Sequence, residues 1–397
     1  MAEETELLGR YKEINEERQK LYAHYSPKML LEAEDYKEAN VSDANSLAGS
    51  IQKNSCINFD LVVCASGKER KSTGEIEVDE VEGKQQHEEA IGSEGALADY
   101  ILSSQRKRIS INIAPNKKQE LNVIYIADEF KPLELNIKVG EHSEASIFEW
   151  FAGTSHVAVL NKIEAGSDSK AEINIAHNES EKSRIAALGL INAFHDAKLR
   201  VNSAYAGGLS TFSTFFADAK EPRSSIELNN AILGNADQRF DIGSVIVNSE
   251  QETSSLARSG AALSDRSYCS VKDFAKIEKN AKNASSYVEE KGLLQGNSYF
   301  VPLPDMSVDT KDVLEATHSA STTPLDSKTM FYLMTRGISE TAAKQSLFLA
   351  FIMKYASFVE NQKTKEIIAT ILRNKLAENR IEQAPKLSAA NLWQVTK

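Results

Sequence analysis

The chain is poor in the features that would tie it to many common functions. Its 397 residues contain three cysteines, Cys56, Cys64 and Cys269, and no pair has CxxC spacing. An odd, scattered count excludes a secreted disulfide framework and a closed four-ligand zinc site. No apolar run approaches the roughly 18 residues that a membrane-spanning helix needs. The amino terminus reads Met-Ala-Glu-Glu-Thr-Glu, without the basic and apolar regions of a signal peptide, so a cytoplasmic chain is expected. Basic residues are in deficit, with a formal net charge of −11. A surface of that sign repels phosphate backbones and makes nucleic acid an unlikely main partner. The longest basic run, Arg106-Lys107-Arg108, reads as a solvated strand edge. There is no GxxxxGK[ST] phosphate loop, no GxSxG with a histidine to serve it and no HExxH, so neither an ATPase nor a hydrolase is indicated.

What is present is an ordinary globular composition, 41% hydrophobic and 26% charged, on a chain long enough for two or three domains. Its periodicity changes twice. Leu7, Leu8, Tyr11, Ile14 and Leu21 recur at helical spacing, and residues 1–65 read as an N-terminal helical region. Residues 66–104 are polar and charged and read as a loop or hairpin connecting segment. From 105 to 322, short stretches such as Ile109-Ser110-Ile111-Asn112-Ile113 and Ala171-Glu172-Ile173-Asn174-Ile175 alternate at period two, spaced about 10–14 residues apart with turn residues between them. That pattern predicts an all-β unit: a sandwich, a barrel or a solenoid. No fixed repeat length separates the three. Residues 323–397 return to helical spacing, with helices expected over 327–337, 339–360 and 363–383. Gly337 is suited to closing the first of these and Ser339 to capping the second.

The stretch from Cys269 to Phe351 is the most distinctive. His318-Ser319-Ala320-Ser321-Thr322, Leu325-Asp326, Phe331-Tyr332-Leu333 and Arg336-Gly337-Ile338-Ser339 follow one another at fixed spacings, with a fainter echo at Ala145–Phe151. This succession resembles the C-terminal half of the SufB/SufD family of iron–sulfur cluster assembly proteins. The resemblance implies a mainly β fold, a right-handed parallel β-helix (β-solenoid) flanked by N- and C-terminal helical regions. It also implies a complex with a SufC-type ATPase and a SufB-type paralogue, and indirectly with a cysteine desulfurase that delivers sulfur.

Within that resemblance the chain departs from the cluster-building type. Where SufB-type members carry a cysteine after the Leu-x-Gly, this chain has Tyr299, and where they carry a glutamate after the histidine it has Ser319. Asn248 stands where a histidine is frequent. Thiolates are the natural ligands of iron–sulfur clusters, so the pattern is that of a SufD-like, non-enzymatic partner with no stably bound cofactor. His318 has two readings, as a metal or cluster-edge ligand at a subunit interface or as a structural histidine. Cys269 is either an inert core thiol or a sulfur-handling group. His156, His177 and His195 read as surface or turn positions, and Phe212, Phe215 and Phe216 as core. Phe348, Phe351 and Tyr355 form an apolar stripe that, with Phe331, Tyr332, Arg336 and Gly337, is the candidate ATPase-docking surface, or else a cap on the solenoid. A homodimer is expected when the chain is isolated. Two alternatives stay open: a divergent SufB that holds a nascent cluster itself, and a β-helix carbohydrate-active enzyme.

Overall fold

The computed structural model describes residues 59–66, 69–71, 73–82, 100–101 and 103–378. The helical reading of residues 1–58, Cys56 within it, and the chain beyond Glu378 lie outside the described residues. The rest is a parallel β-solenoid of about eight turns followed by three helices.

Each turn contributes one strand to each of two facing ten-stranded sheets. Sheet A runs in the order β2 (Glu69–Lys71), β1 (Leu61–Cys64), β5 (Lys118–Ala127), β7 (Glu144–Gly153), β9 (Lys170–Glu179), β11 (Lys198–Tyr205), β13 (Ser225–Gly234), β15 (Ser254–Leu263), β17 (Ala284–Leu294) and β20 (Val313–Pro324). Sheet B runs β3 (Ile76–Val81), β4 (Arg106–Ile113), β6 (Leu133–Val139), β8 (Val157–Ala165), β10 (Arg184–Ala193), β12 (Ser210–Ala219), β14 (Arg239–Asn248), β16 (Tyr268–Ile277), then β18 (Tyr299–Pro302) and β19 (Asp305–Val308) end to end along β16. Three strands thus precede the 105–322 span in which the alternation is legible.

The missing repeat has a geometric cause. A turn takes 26 residues where Lys118 pairs with Glu144, but 31 where Ser254 pairs with Ser285. The corners absorb the difference, so only the period-two alternation survives in the sequence. One corner is nevertheless built the same way turn after turn. Asn116, His142, Asp168, Asp196, Arg223 and Glu252 all take positive φ between 54° and 60°, two residues before a sheet A strand, and Asn283 does so one residue before β17. Asn and Asp tolerate that left-handed conformation better than other non-glycine residues. The next residue is often small and buried, and its hydroxyl closes the turn: Ser143 donates to the Ala114 carbonyl, Ser224 to Glu221 and Thr253 to Glu250.

Alternate residues of both sheets point inward and fill the solenoid. Ile147, Phe151, Ile173, Val201, Phe215 and Leu228 belong to one continuous core. The outer face of sheet A is apolar too, and carries a column of small residues in register, Ala176, Ala204, Ala231 and Gly260. Alanine is a poor strand residue, but here it opens a groove. Helix α2 (Glu340–Ala356) packs over β11, β13 and β15, and α3 (Gln362–Glu378) packs beside it. Phe348, Ile352 and Tyr355 from α2 and Ile368, Leu372 and Leu376 from α3 are buried there.

The short helix α1 (Ser327–Thr335) links β20 to α2. Asp326 caps it by accepting from the Lys328 and Thr329 amides. It ends where the Ile338 amide returns to the Leu333 carbonyl and that of Gly337 to Met334, with Gly337 at φ +85°. That is a Schellman closure, which needs the left-handed residue that glycine supplies. Ser339 then caps α2 by accepting from the Ala342 amide at 3.3 Å.

Two sequence readings are corrected. Arg106 and Lys107 are not a solvated edge. Both are buried, Arg106 on the Glu134 carboxylate at 2.6 Å and Lys107 on the Cys64 carbonyl at 3.2 Å. Arg106, Arg108 and Lys162 converge on Glu134. Burial alone would raise its pKa, but these cations outweigh that and hold it at about 2. His177 is not a surface histidine. It lies inside the solenoid between Phe151 and Tyr205, with ring centres 4.7 and 5.4 Å away, and its Nδ1 is 2.8 Å from Glu179 Oε1. In a solenoid, identical positions of successive turns stack, so an inward histidine flanked by inward aromatics is drawn into their column. His195 is at an exposed corner, as its sequence context indicates.

Candidate functional site

The two ends of the solenoid differ. At the N-terminal end the first parallel strands are covered by antiparallel ones, β2 on β1 and β3 on β4. At the C-terminal end β20 pairs with β17 on one side only, and its twelve residues are exposed or half-exposed along their whole length. An uncovered edge of that length is a template for pairing with another chain. The exposed large hydrophobics point to the same end. Among the described residues there are eight, and all but Leu209 fall within residues 299–338: Tyr299, Val308, Leu314, Phe331, Tyr332, Met334 and Ile338. Exposed apolar side chains are common on association surfaces.

His318 sits on β20, opposite Val288 of β17, and is exposed. Val288 points into the core, so His318 continues an inward-facing column past the last closed turn. Beneath this end lies a buried polar chain. Asn230 donates to Ser244 and Ser259, Ser259 donates to Asp273 at 2.6 Å, and the Asp273 amide donates to Glu290 Oε1 at 2.9 Å. Cys269 is inside the same turns, fully buried between Phe240 and Phe300 in the register of sheet B. Burial, reinforced by Asp241, Glu290 and Asp273, pushes its thiol well above the ordinary range. Cys64 is buried as well, on the outer face of sheet A. Asn248 is buried and donates to Ser255 at 2.8 Å.

The seven docking candidates separate into two groups. Phe331, Tyr332, Arg336 and Gly337 lie on α1 and its closing turn, where Phe331 is 69% exposed and the Arg336 guanidinium stacks 5.2 Å over the Tyr332 ring. Phe348 and Tyr355 are buried between α2 and sheet A, and Phe351 is half-buried at their margin. The stripe at helical spacing is thus the face that fastens the helix to the solenoid. Tyr355 reaches Glu289 Oε1 at 3.2 Å, and Lys354 and Lys291 bind the same carboxylate.

Inward-pointing acids escaped the sequence reading, although parity could have found them. Glu149 shares its face with Ile147 and Phe151, so it must project into the core. Among the described residues neither of its carboxylate oxygens has a hydrogen-bond partner, and burial raises its pKa to about 8. An acid whose folded pKa is raised holds its proton in the folded state after the unfolded chain has lost it. Stability therefore falls as pH rises between about 4.5 and 8, by an amount on the order of several kcal/mol. Glu149→Gln should unfold at higher denaturant than the parent at pH 8, with the difference shrinking towards pH 5. Denaturant melts across that range check this, and a pH-independent difference would contradict it.

Fold and surface together define a class: a parallel β-solenoid covered by antiparallel strands at one end and ending at the other in an exposed strand edge, with helices beside that edge and, among the described residues, no helix long and apolar enough to cross a membrane. The profile of the SUF system FeS cluster assembly family, SufBD core domain, matches residues 126–351, more than half of the chain. The chain belongs to that family, and its role is in iron–sulfur cluster assembly by the SUF system. No curated protein matches the chain. Family membership takes the place of the carbohydrate-active alternative.

Proposed function

We propose that this chain is the SufD-like, non-enzymatic member of a SufBCD-type complex. It pairs through β20 with a SufB-type paralogue and receives a SufC-type ATPase on α1. The observation that carries this reading is the concentration of exposed apolar side chains on the last turn and α1, beside an unpaired strand edge. The state of the two described thiols supports the SufD-like role over the cluster-building one. Cys64 and Cys269 are both enclosed, and Cys269 is held in its protonated form, whereas cluster ligation requires an accessible thiolate. The cluster is then cargo of the complex rather than a resident cofactor. His318, exposed on the pairing edge, is the side chain this chain offers to it.

The N-terminal covering strands leave one open end, so association closes at two copies instead of growing into a fibre. Light scattering of the isolated chain at micromolar concentration should give a dimer, and adding the paralogue should convert it to a heterodimer. Anaerobic incubation with iron and sulfide should leave the isolated chain without a stable chromophore, while the mixture with the paralogue develops one. The His318→Ala variant should keep its melting curve but lower the yield of that chromophore. A strict monomer would remove β20 as the pairing edge, and a stable chromophore on the chain alone would reassign it to the divergent SufB-type role.

A further inference from the structure

Five arginines of the solenoid are held by carboxylates of the same chain. Arg106 and Arg108 share Glu134. Arg200 lies on Glu227 at 2.9 Å and on Glu360 at 3.0 Å. Arg223 and Arg266 grip Asp196 and Asp237 through two bonds each, of 2.7 and 2.6 Å. Arg336, at the end of α1, is treated differently. It is exposed, and among the described residues it enters no ion pair, although the chain carries 57 acidic against 46 basic residues. Lys328, exposed at the start of the helix, enters none either. The two acids that bracket the segment are engaged elsewhere. Asp326 accepts from the Lys328 and Thr329 amides, and Glu340 binds Lys344 at 2.7 Å. Residues 327–339 thus carry two cations and no acid.

The cations have a fixed place on the helix. Lys328, Tyr332 and Arg336 are four residues apart and share one side of α1, which sets the two cations about 12 Å apart at about 1.5 Å of rise per residue. The Arg336 guanidinium lies 5.2 Å from the centre of the Tyr332 ring. Stacking occupies one face of this planar group and leaves its N–H edge free to bind a carboxylate through two parallel bonds. Phe331, Met334 and Ile338 are exposed as well, at the three- and four-residue spacing by which a helix anchors in an apolar groove. Given α1 as the helix that receives the ATPase, we infer that the ATPase presents an apolar groove with carboxylates on its rim, one paired with the Arg336 fork and a second beside Lys328. Arg336 is then a specificity-determining residue. A competing ATPase without the carboxylate would strip water from a cation and return no bond to it.

Calorimetric titration of the full chain with its cognate ATPase, at about 50 mM and about 500 mM NaCl, tests the pairing, because salt screens exposed charges and not apolar contacts. The parent should bind several-fold more weakly at the higher salt. Arg336→Met should weaken binding about tenfold at low salt and lose most of the salt dependence. Arg336→Lys should recover only part of the loss, since an ammonium is a point charge and not a fork. Arg266→Met, on the solenoid, should bind as the parent does. An Arg336→Met variant that binds as tightly as the parent, or that loses affinity while keeping the parent's salt dependence, would overturn the pairing. The docking itself is read from the variant with Phe331→Asp and Tyr332→Asp. If that variant loses binding and Arg336→Met does not, only the carboxylate pairing falls; if neither loses binding, docking on α1 falls with it. If Arg336→Met does not fold, Lys328→Met and the parent decide, and a parent affinity that ignores salt overturns the pairing.

Discussion

Replacing Phe331 and Tyr332 together by aspartate should abolish binding of the cognate ATPase and leave the melting curve of the chain where it was. Both side chains stand on a helix of which only Met330 is buried, so no packing is lost when they change. Aromatic anchors at the centre of an interface are worth about 2–4 kcal/mol each on truncation, and a charge placed in a desolvated contact adds to that. A loss of roughly 100-fold or more in Kd is expected, since each 1.4 kcal/mol is tenfold. Phe348→Asp is the informative comparison. Phe348 is 3% exposed against sheet A, so a charge there should lower the melting temperature, with any loss of binding following from the disturbed helix. Calorimetric titration alongside thermal melts separates the two. Full binding by the Phe331/Tyr332 variant would move the docking surface away from α1.

Enlarging Gly260 should detach the helical layer from the solenoid. A Cβ at this position would lie 2.1 Å from Tyr355 Cδ2 and 2.4 Å from Cγ. The obstructing atoms belong to a ring held by Glu289, so the ring must leave instead of bending aside. Overpacking of this kind costs about 1–3 kcal/mol, and removal of a buried aromatic ring about 3–5 kcal/mol. Gly260→Ala and Tyr355→Ala should each destabilise the chain. The double variant should be less destabilised than the sum, because the truncated side chain no longer meets the added methyl. Denaturant melts of the three variants give the coupling. Strict additivity would show that Tyr355 does not seat on Gly260.

These two experiments concern residues that the sequence grouped together and the structure separates. A run of apolar positions at three and four residues identifies one face of α2, but not what that face meets. Phe348, Phe351 and Tyr355 satisfy equally a partner or the chain's own sheet. The column Ala176, Ala204, Ala231 and Gly260 decides between them, and its members come from four turns that only the solenoid brings into register. His177 and Glu149 tell the same story from inside. Alternation gives the parity of each, but the company each keeps is set by turns 26 to 31 residues away.

Local chemistry, by contrast, was decided in the sequence. Alternation at period two marks the strands, because successive side chains of an extended chain point to opposite faces. Asp326, Gly337 and Ser339 set the ends of α1 and the start of α2, because capping and left-handed turns are matters of a few neighbouring residues. The spacing from His318 to Ser339 led to the family for the same reason, being a contiguous stretch. What the sequence could not decide was which strands are neighbours, which end of the stack is covered and which apolar face remains free. Those depend on contacts between residues a full turn or more apart, and the turn length is not constant. Only the assembled solenoid fixes the register in which His318 lies on an open edge, Cys269 is sealed within, and Phe331 and Tyr332 face outward.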